Sequence, residues 1–247
     1  MDRGDQMMRS LVAVAAGLAV VQAGPGITGL APVRDAFFPG LSGIGMPDRV
    51  ALTFDDGPDQ DATPPVLDML AERGVRATFF LLGSRVAMMP KLAAEIVDAG
   101  HEVAVHSWDH RYLPLRGPLS TYDQLARTMD AITSATGTVP WLFRPPYGVL
   151  STPAIVAAHS LGLRPVLWSC WGREWTRGAT PQTVFATLKQ DLRGGATVLL
   201  HDSDCTSPAG SAEVALGALP LLLDECAKQE LRVGPLGEHA IRYSRHP

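Results

Sequence analysis

From Arg49 onward, short runs that are apolar at nearly every position alternate with longer stretches whose apolar residues recur at helical spacing. The short runs are Val50–Phe54, Ala77–Leu82, Glu102–His106, Leu142–Arg144, Pro165–Ser169, Thr197–His201 and Arg232–Pro235. Continuous rather than alternating apolarity predicts strands covered on both faces. The intervening stretches carry helix punctuation. Thr63, Thr152 and Thr180 each precede proline, which reads as an N-cap hydroxyl followed by a residue suited to the first helical position. Ser120 with Asp123 reads as a capping box shortened by one methylene. Gly74, Gly100, Gly137 and Gly162 stand where helices should end.

Strand and helix alternating in this way predict a parallel sheet with crossover helices. The expected fold is α/β, an irregular (β/α) barrel of about seven parallel strands forming a single domain over residues 49–247. No Gly-x-Gly-x-x-Gly follows the first strand, which removes the best sign of a dinucleotide-binding sheet. Residues 32–48 continue a Gly- and Pro-rich stretch and read as a linker or irregular wrap. Residues 1–31 read as a signal-like or anchoring segment. Arg9 precedes the apolar run Leu11–Ala23, and Val21-Gln22-Ala23 resembles a small-residue cleavage site. The expectation is an exported or membrane-anchored protein, against the alternative of a cytoplasmic one with a packed N-terminal helix.

Composition narrows the class. With 247 residues, 46% of them hydrophobic, the chain can bury a sizeable core. A net charge of -4 and the lack of a basic run give no support to nucleic-acid binding. Cys170, Cys205 and Cys226 form neither a disulfide framework nor a CxxC pattern. A Cys170–Cys205 bridge is conceivable if their strands are neighbours, but free thiols are the expectation.

In a parallel barrel, functional groups gather where strands end and loops begin. The reactive side chains of this chain fall at those ends: Asp55-Asp56-Gly57-Pro58, His106-Ser107-Trp108-Asp109-His110, Arg144-Pro145-Pro146-Tyr147-Gly148, Trp171-Gly172-Arg173-Glu174-Trp175 and His201-Asp202. Each segment alone has a plain reading, such as an Asp-Gly-Pro turn or a solvated arginine. Their shared location is what carries the argument. His106 and His110, four apart, would stack on one face of a helical turn. With Asp56 they make two imidazoles and a carboxylate, a set that leaves a coordination position open for chemistry. Zinc is the default divalent metal for these donors.

A metal changes which proton transfers are feasible. Moving a proton from free water, pKa about 15.7, to an ordinary carboxylate near 3.9 costs roughly 16 kcal/mol. Water on zinc, near pKa 7, reduces this to roughly 4 kcal/mol. Asp55 is therefore the candidate base beside Asp56, and His201 the candidate proton donor, kept charged by a neighbouring carboxylate. Arg144 would pair with Asp55, and the two prolines would fix Tyr147 so that its N–H faces a developing oxyanion. Trp175, with Trp168, Trp171 and Leu199, is a candidate for the apolar wall of a substrate pocket.

Taken in order, Thr-Phe-Asp-Asp-Gly-Pro, His-Ser-x-x-His and Arg-Pro-Pro-Tyr-Gly resemble the polysaccharide deacetylases, the NodB-like domains of carbohydrate esterase family four. The resemblance covers roughly Arg49 to Leu236. It implies a hydrolase of carbon–nitrogen bonds that removes acetyl groups from a sugar or glycan such as chitin or peptidoglycan. It also implies Asp55 as base, His201 as acid, Asp56, His106 and His110 as metal ligands, Arg144 as partner of Asp55, and Tyr147 as oxyanion donor. The fourth segment departs from the family's Asp-x-x-Asp-Trp. Glu174 can still tune His201, but Trp171 cannot replace an aspartate. An O-acetyl esterase, a hydrolase of non-sugar amides and a non-catalytic glycan-binding module are the alternatives on the same scaffold.

Overall fold

The computed structural model describes residues 12, 13, 16, 17, 19–38 and 40–241. Among the described residues, eight short parallel strands make one sheet: β1 (Arg49–Asp55), β2 (Thr78–Leu81), β3 (Glu102–Val105), β4 (Leu142–Phe143), β5 (Arg164–Pro165), β6 (Cys170–Trp171), β7 (Thr197–His201) and β8 (Arg232–Gly234). Their order is β5-β4-β3-β2-β1-β7-β6. Thr53 pairs with both Thr78 and Leu199, and Ala51 with both Thr197 and Gly234. β8 thus shares with β2 the edge of β1 that faces away from β7.

This order requires the sheet to curl. Six inter-strand gaps of about 4.8 Å would hold β5 and β6 roughly 29 Å apart in a flat sheet. Yet only residues 166–169 separate β5 from β6 in the chain, and five Cα steps reach at most about 18 Å. The expected irregular barrel follows. The connecting segment closes it, with the Val166 N–H on the Phe143 carbonyl (2.9 Å) at one edge and the Ser169 N–H on the Thr197 carbonyl (3.1 Å) at the other.

Here the structure corrects the single strand expected over Pro165–Ser169: only Pro165 lies in a strand, residues 166–169 are irregular, and β6 begins after them at Cys170. The reason is competition for its carbonyls. Arg144 donates to those of Val166 and Leu167, and Arg34 to that of Trp168. The Leu167 N–H is taken by Leu41.

Alternation along β1 sets the two sides of the sheet. Val50, Leu52 and Phe54 join the large core beneath the helices, which includes Val66, Leu70, Leu188 and Leu219. Ala51 belongs to a smaller cluster with Phe80, Ala104, Leu142, Val166 and Leu236. Thr53 and Asp55 continue the inner row, and both reach Arg144.

The helices flank the sheet: Thr63–Glu72, Gly83–Met88, Pro90–Asp98, Pro118–Thr136, Thr152–Ser160, Pro181–Asp191 and Ser211–Lys228. Thr180 caps its helix in a reciprocal capping box with Thr183. The other caps differ from expectation. Ser151 caps the helix that Thr152 was expected to cap. Thr63 lies inside its helix and turns its hydroxyl to Asp202. The Ser120–Asp123 box does not form, because Pro118 starts that helix two residues before Ser120. Gly74, Gly100, Gly137 and Gly162 all terminate helices with positive φ.

The segment read as signal-like ends in a 3-10 helix, Gly24–Gly29, and the helix Ala31–Phe37 continues from it into the stretch read as an irregular wrap. Buried Arg34 ties this segment together through Thr28 and Ser42 and anchors it to the barrel through the Trp168 carbonyl. The signal-like run Leu11–Ala23 lies partly outside the described residues; its residues 12, 13, 16, 17 and 19–23 are helical. Among the described residues no helix is long and apolar enough to cross a membrane.

Candidate metal-centred active site

β1 carries Asp55 on its inner row and ends there, and the next residue, Asp56, turns into the left-handed region at φ 77°. The two carboxylates therefore diverge. Asp55 Oδ1 accepts a hydrogen bond from Arg144 Nη1 at 2.6 Å. Asp56 Oδ1 lies 3.3 Å from His106 Nε2 and 3.4 Å from His110 Nε2.

The two histidines do not sit on a helical turn, as their spacing suggested. They flank a loop in which Ser107 and His110 both have positive φ, 72° and 54°. Gln124 holds that loop by accepting from the Ser107 hydroxyl and the Trp108 N–H. Asp56, Ser107, His110, Tyr147 and Arg173 all adopt left-handed backbone around the site. Each such residue costs of order 1 kcal/mol, a strain that a packed scaffold sustains at functional sites.

The donor set fits a cation. Asp56 Oδ1 is buried and has no hydrogen-bond partner, and the candidate ligand atoms of Asp56, His106 and His110 lie within 4.8 Å of one another. His106 Nδ1 is 2.8 Å from the carbonyl of Arg144. That oxygen can only accept, so in the neutral ring Nδ1 carries the hydrogen and Nε2 offers its lone pair. Burial, helped by the neighbouring His106, lowers the His110 pKa to about 4 and leaves that ring neutral near pH 7. For Asp56, burial favours the neutral form, but the three surrounding histidines outweigh it and hold the carboxyl below its usual range.

Arg144 is completely buried over the ring of Phe80, its Cζ 4.0 Å from the centroid. Besides Asp55 it donates to Thr53 Oγ1 (2.8 Å) and to the Leu167 carbonyl (2.8 Å). Its orientation, and with it that of Asp55, is fixed by the barrel wall. The β1–β7 register sets Asp55 beside His201.

His201 Nδ1 is 2.8 Å from Glu174 Oε1. Burial works against a charge on this ring, but Glu174, followed by Asp56 and Asp55, overrides it and lifts the pKa to about 9. Next in the chain, fully buried Asp202 is pushed up to about 7 by burial, despite a hydrogen bond from Thr63.

Asp55, His106, His110, Tyr147, Trp168, Trp171, Trp175, Leu199 and His201 share one pocket of about 260 Å³. Asp56, Arg144 and Glu174 stand behind it through the contacts above. Tyr147 packs edge-on against His110, and Trp175 edge-on against His201. Pro145 and Gly148, from the strand-end segment that carries Tyr147, also line the pocket, whereas sequence reasoning missed Thr206 and Ser207. The last two follow the end of β7 closely, so the strand-end rule that found His201 reaches them if carried a few residues further. Cys170, Cys205 and Cys226 are free.

The chain matches the polysaccharide deacetylase family over residues 44–166. It is 36% identical over 195 residues to the chitooligosaccharide deacetylase of a Bradyrhizobium species, a match covering 76% of this chain and 88% of that one. The chain belongs to the polysaccharide deacetylase family.

A second relative in the polysaccharide deacetylase family is the peptidoglycan-N-acetylglucosamine deacetylase PgdA of Listeria monocytogenes, also 36% identical over 195 residues. That match covers 75% of this chain but only 40% of the Listeria protein, so the chain spans about two fifths of that relative's length. The solved structure of a CE4 family pseudoenzyme from Bacillus anthracis superposes with a TM-score of 0.70 at 27% identity, covering 78% of this chain and 65% of that one. Family membership alone therefore does not carry turnover, which depends on the side chains present at the site. At the divergent fourth segment, Glu174 reaches His201 despite its extra methylene. Trp171 fills its position with a ring packed between Trp168 and Trp175, the Arg173 guanidinium 4.5 Å from its centroid.

Proposed function

We propose that this chain is a metal-dependent hydrolase that removes N-acetyl groups from a peptidoglycan-like or chitin-like glycan, with zinc as the metal. The observation that carries the reading is the pair of ion pairs, Arg144–Asp55 and Glu174–His201, flanking the Asp56, His106 and His110 donors in one pocket. The names of the relatives support the acetylated glycan as substrate.

Asp56, His106 and His110 would hold the metal. When bound, a divalent cation supplies the positive charge that makes water a feasible acid near neutral pH. Asp55, oriented by Arg144, accepts the proton of the attacking water. His201, charged through Glu174, delivers a proton to the departing amine nitrogen; its Nδ1 is committed to Glu174, which leaves Nε2 for the transfer. The Tyr147 N–H is assigned to the developing oxyanion, where one such donor is worth about 3–4 kcal/mol. Trp175 and Leu199 form the apolar wall against the sugar and the acetyl methyl.

The test is acetate release from chitooligosaccharides, peptidoglycan and acetylated xylan, with and without chelator. Release that chelator abolishes and zinc restores, and that Asp55→Asn and His201→Ala each eliminate, is the expected result. Release of amine only from small amides, acetate only from O-acetyl xylan, or binding without turnover would each replace the reading with one of its rivals. Export or anchoring through the N-terminal run belongs to the same proposal, and sequencing the mature N-terminus in a cell fractionation tests it.

A further inference from the structure

The carboxylate of Asp56 has two oxygens, and the protein treats them differently. Oδ1 faces the two imidazole Nε2 atoms and has no hydrogen-bond partner. Oδ2 accepts a hydrogen bond from the hydroxyl of Thr206. An ionised carboxylate is acceptor-only, so Thr206 must be the donor. The hydrogen bond is charge-assisted and therefore among the stronger ones in a protein.

Thr206 comes from the loop after β7, and that loop is ordered by its own contacts. Asp204 accepts from the Gly210 and Ala212 N–H groups at 2.6 and 2.7 Å, tying the loop to the start of the helix Ser211–Lys228. The Cys205 N–H donates to Ser203 Oγ, and Ser203 Oγ donates to Asp59 Oδ2. Cys205 Sγ reaches the backbone carbonyl of Asp56 at 3.6 Å. The hydroxyl is thus delivered to Asp56 by a loop held chiefly by the contacts of Asp204 and Ser203, which lie away from the metal donors.

From this geometry we infer that Thr206 is a positioning residue of the metal site: it occupies Asp56 Oδ2 and restricts the carboxylate to monodentate coordination through Oδ1. Without it the carboxylate loses the hydrogen bond that orients it, would have to be ordered on binding to present Oδ1 to a cation, and could turn Oδ2 toward the position that chemistry needs open. Partners of ligating side chains typically contribute 10- to 100-fold to metal affinity. Thr206 also lines the pocket, so a carboxylate that swings toward it changes the space left for substrate.

This inference rests on the metal reading of the preceding section, and the experiment separates the two. Zinc affinity is measured for wild-type protein, T206V and T206S by competition with a chromophoric chelator. The visible spectrum is recorded with cobalt(II) in place of zinc. The expected result is an affinity about 10-fold or more weaker for T206V, with T206S close to wild type. The cobalt absorption of T206V should also weaken, as coordination number rises. T206A removes the same hydroxyl and serves if T206V does not fold. Equal affinity and equal spectra for wild type and T206V would overturn the role of Thr206 while leaving the metal site standing. Loss in T206S as large as in T206V would overturn it too, because the methyl and not the hydroxyl would then matter. A wild-type protein that binds neither metal would instead remove the metal reading itself.

Discussion

Replacing Glu174 by glutamine keeps the shape of the side chain and removes its charge, and the consequence can be worked from the His201 environment. Burial alone disfavours the imidazolium, and Glu174 is the largest of the influences that reverse this and bring the pKa to about 9. Without that charge the ring falls toward its ordinary 6.5, with Asp56 and Asp55 still raising it and burial still lowering it. A full return to 6.5 is a separation of about 2.5 pH units, roughly 3 kcal/mol. A bound cation lowers both values, so the separation between variant and wild type is the quantity to read. At pH 8 a donor of pKa 9 is about 90% charged and one of 6.5 about 3%, so kcat/KM should fall in E174Q by up to roughly 30-fold. At pH 5.5 both are mostly charged and the two proteins should converge. The sign is fixed: the variant loses rate on the alkaline side and recovers as pH falls. The assay is acetate release from a chitooligosaccharide between pH 5 and 10, with metal content verified at each end. An unchanged alkaline limb in E174Q would refute the coupling, and a uniform loss at every pH would show that Glu174 acts through structure instead.

Three further outcomes follow from close contacts. In G57A the new Cβ would lie 2.4 Å from Asp202 Oδ2, and a fully buried carboxylate cannot retreat. Urea unfolding should show a loss of about 1–3 kcal/mol, together with weaker zinc retention if Asp56, which Gly57 follows, holds the metal as proposed. R34A strips donors from the Thr28 and Trp168 carbonyls and from Ser42. A loss of about 2–4 kcal/mol in urea with an unchanged slope is expected, and a loss under 0.5 kcal/mol would mean that the N-terminal wrap is not part of the folded unit. In G148A the added Cβ meets Trp168 Cη2 at 2.7 Å in a backbone of φ 68°. That should displace the tryptophan from the pocket wall and raise KM more than it lowers kcat.

Much of the site was legible because strand-end chemistry is a local signal. Asp55, Asp56, His106, Arg144 and His201 each terminate an apolar run or adjoin its end, and the barrel rule gathers such ends on one face. The exceptions share a cause, which is competition from distant partners. The run 165–169 has the apolar content of a strand, yet two guanidiniums and the Leu41 carbonyl take hydrogen bonds that a ladder would use. Thr63 and Thr152 precede proline as an N-cap residue would, but Asp202 recruits the first hydroxyl and Ser151 pre-empts the second. His106 and His110 have helical spacing but are bent into a loop by left-handed residues that no periodicity reveals.

By itself, the sequence determined the class of fold, the end of the barrel where reactive groups collect, and the donor types available there. Those depend on apolar period and on residues adjacent in the chain. Only the tertiary structure decided which oxygen of Asp56 faces the histidines, that Glu174, the carboxylate the resemblance offered to His201, comes within hydrogen-bond reach of it, and that Thr206 meets Asp56. Glu174 and His201 are 27 residues apart, and Thr206 and Asp56 are 150 apart. Such pairs exist only once the β1–β7 register and the closing segment 166–169 are in place, because hydrogen bonds require positions fixed to a few tenths of an ångström.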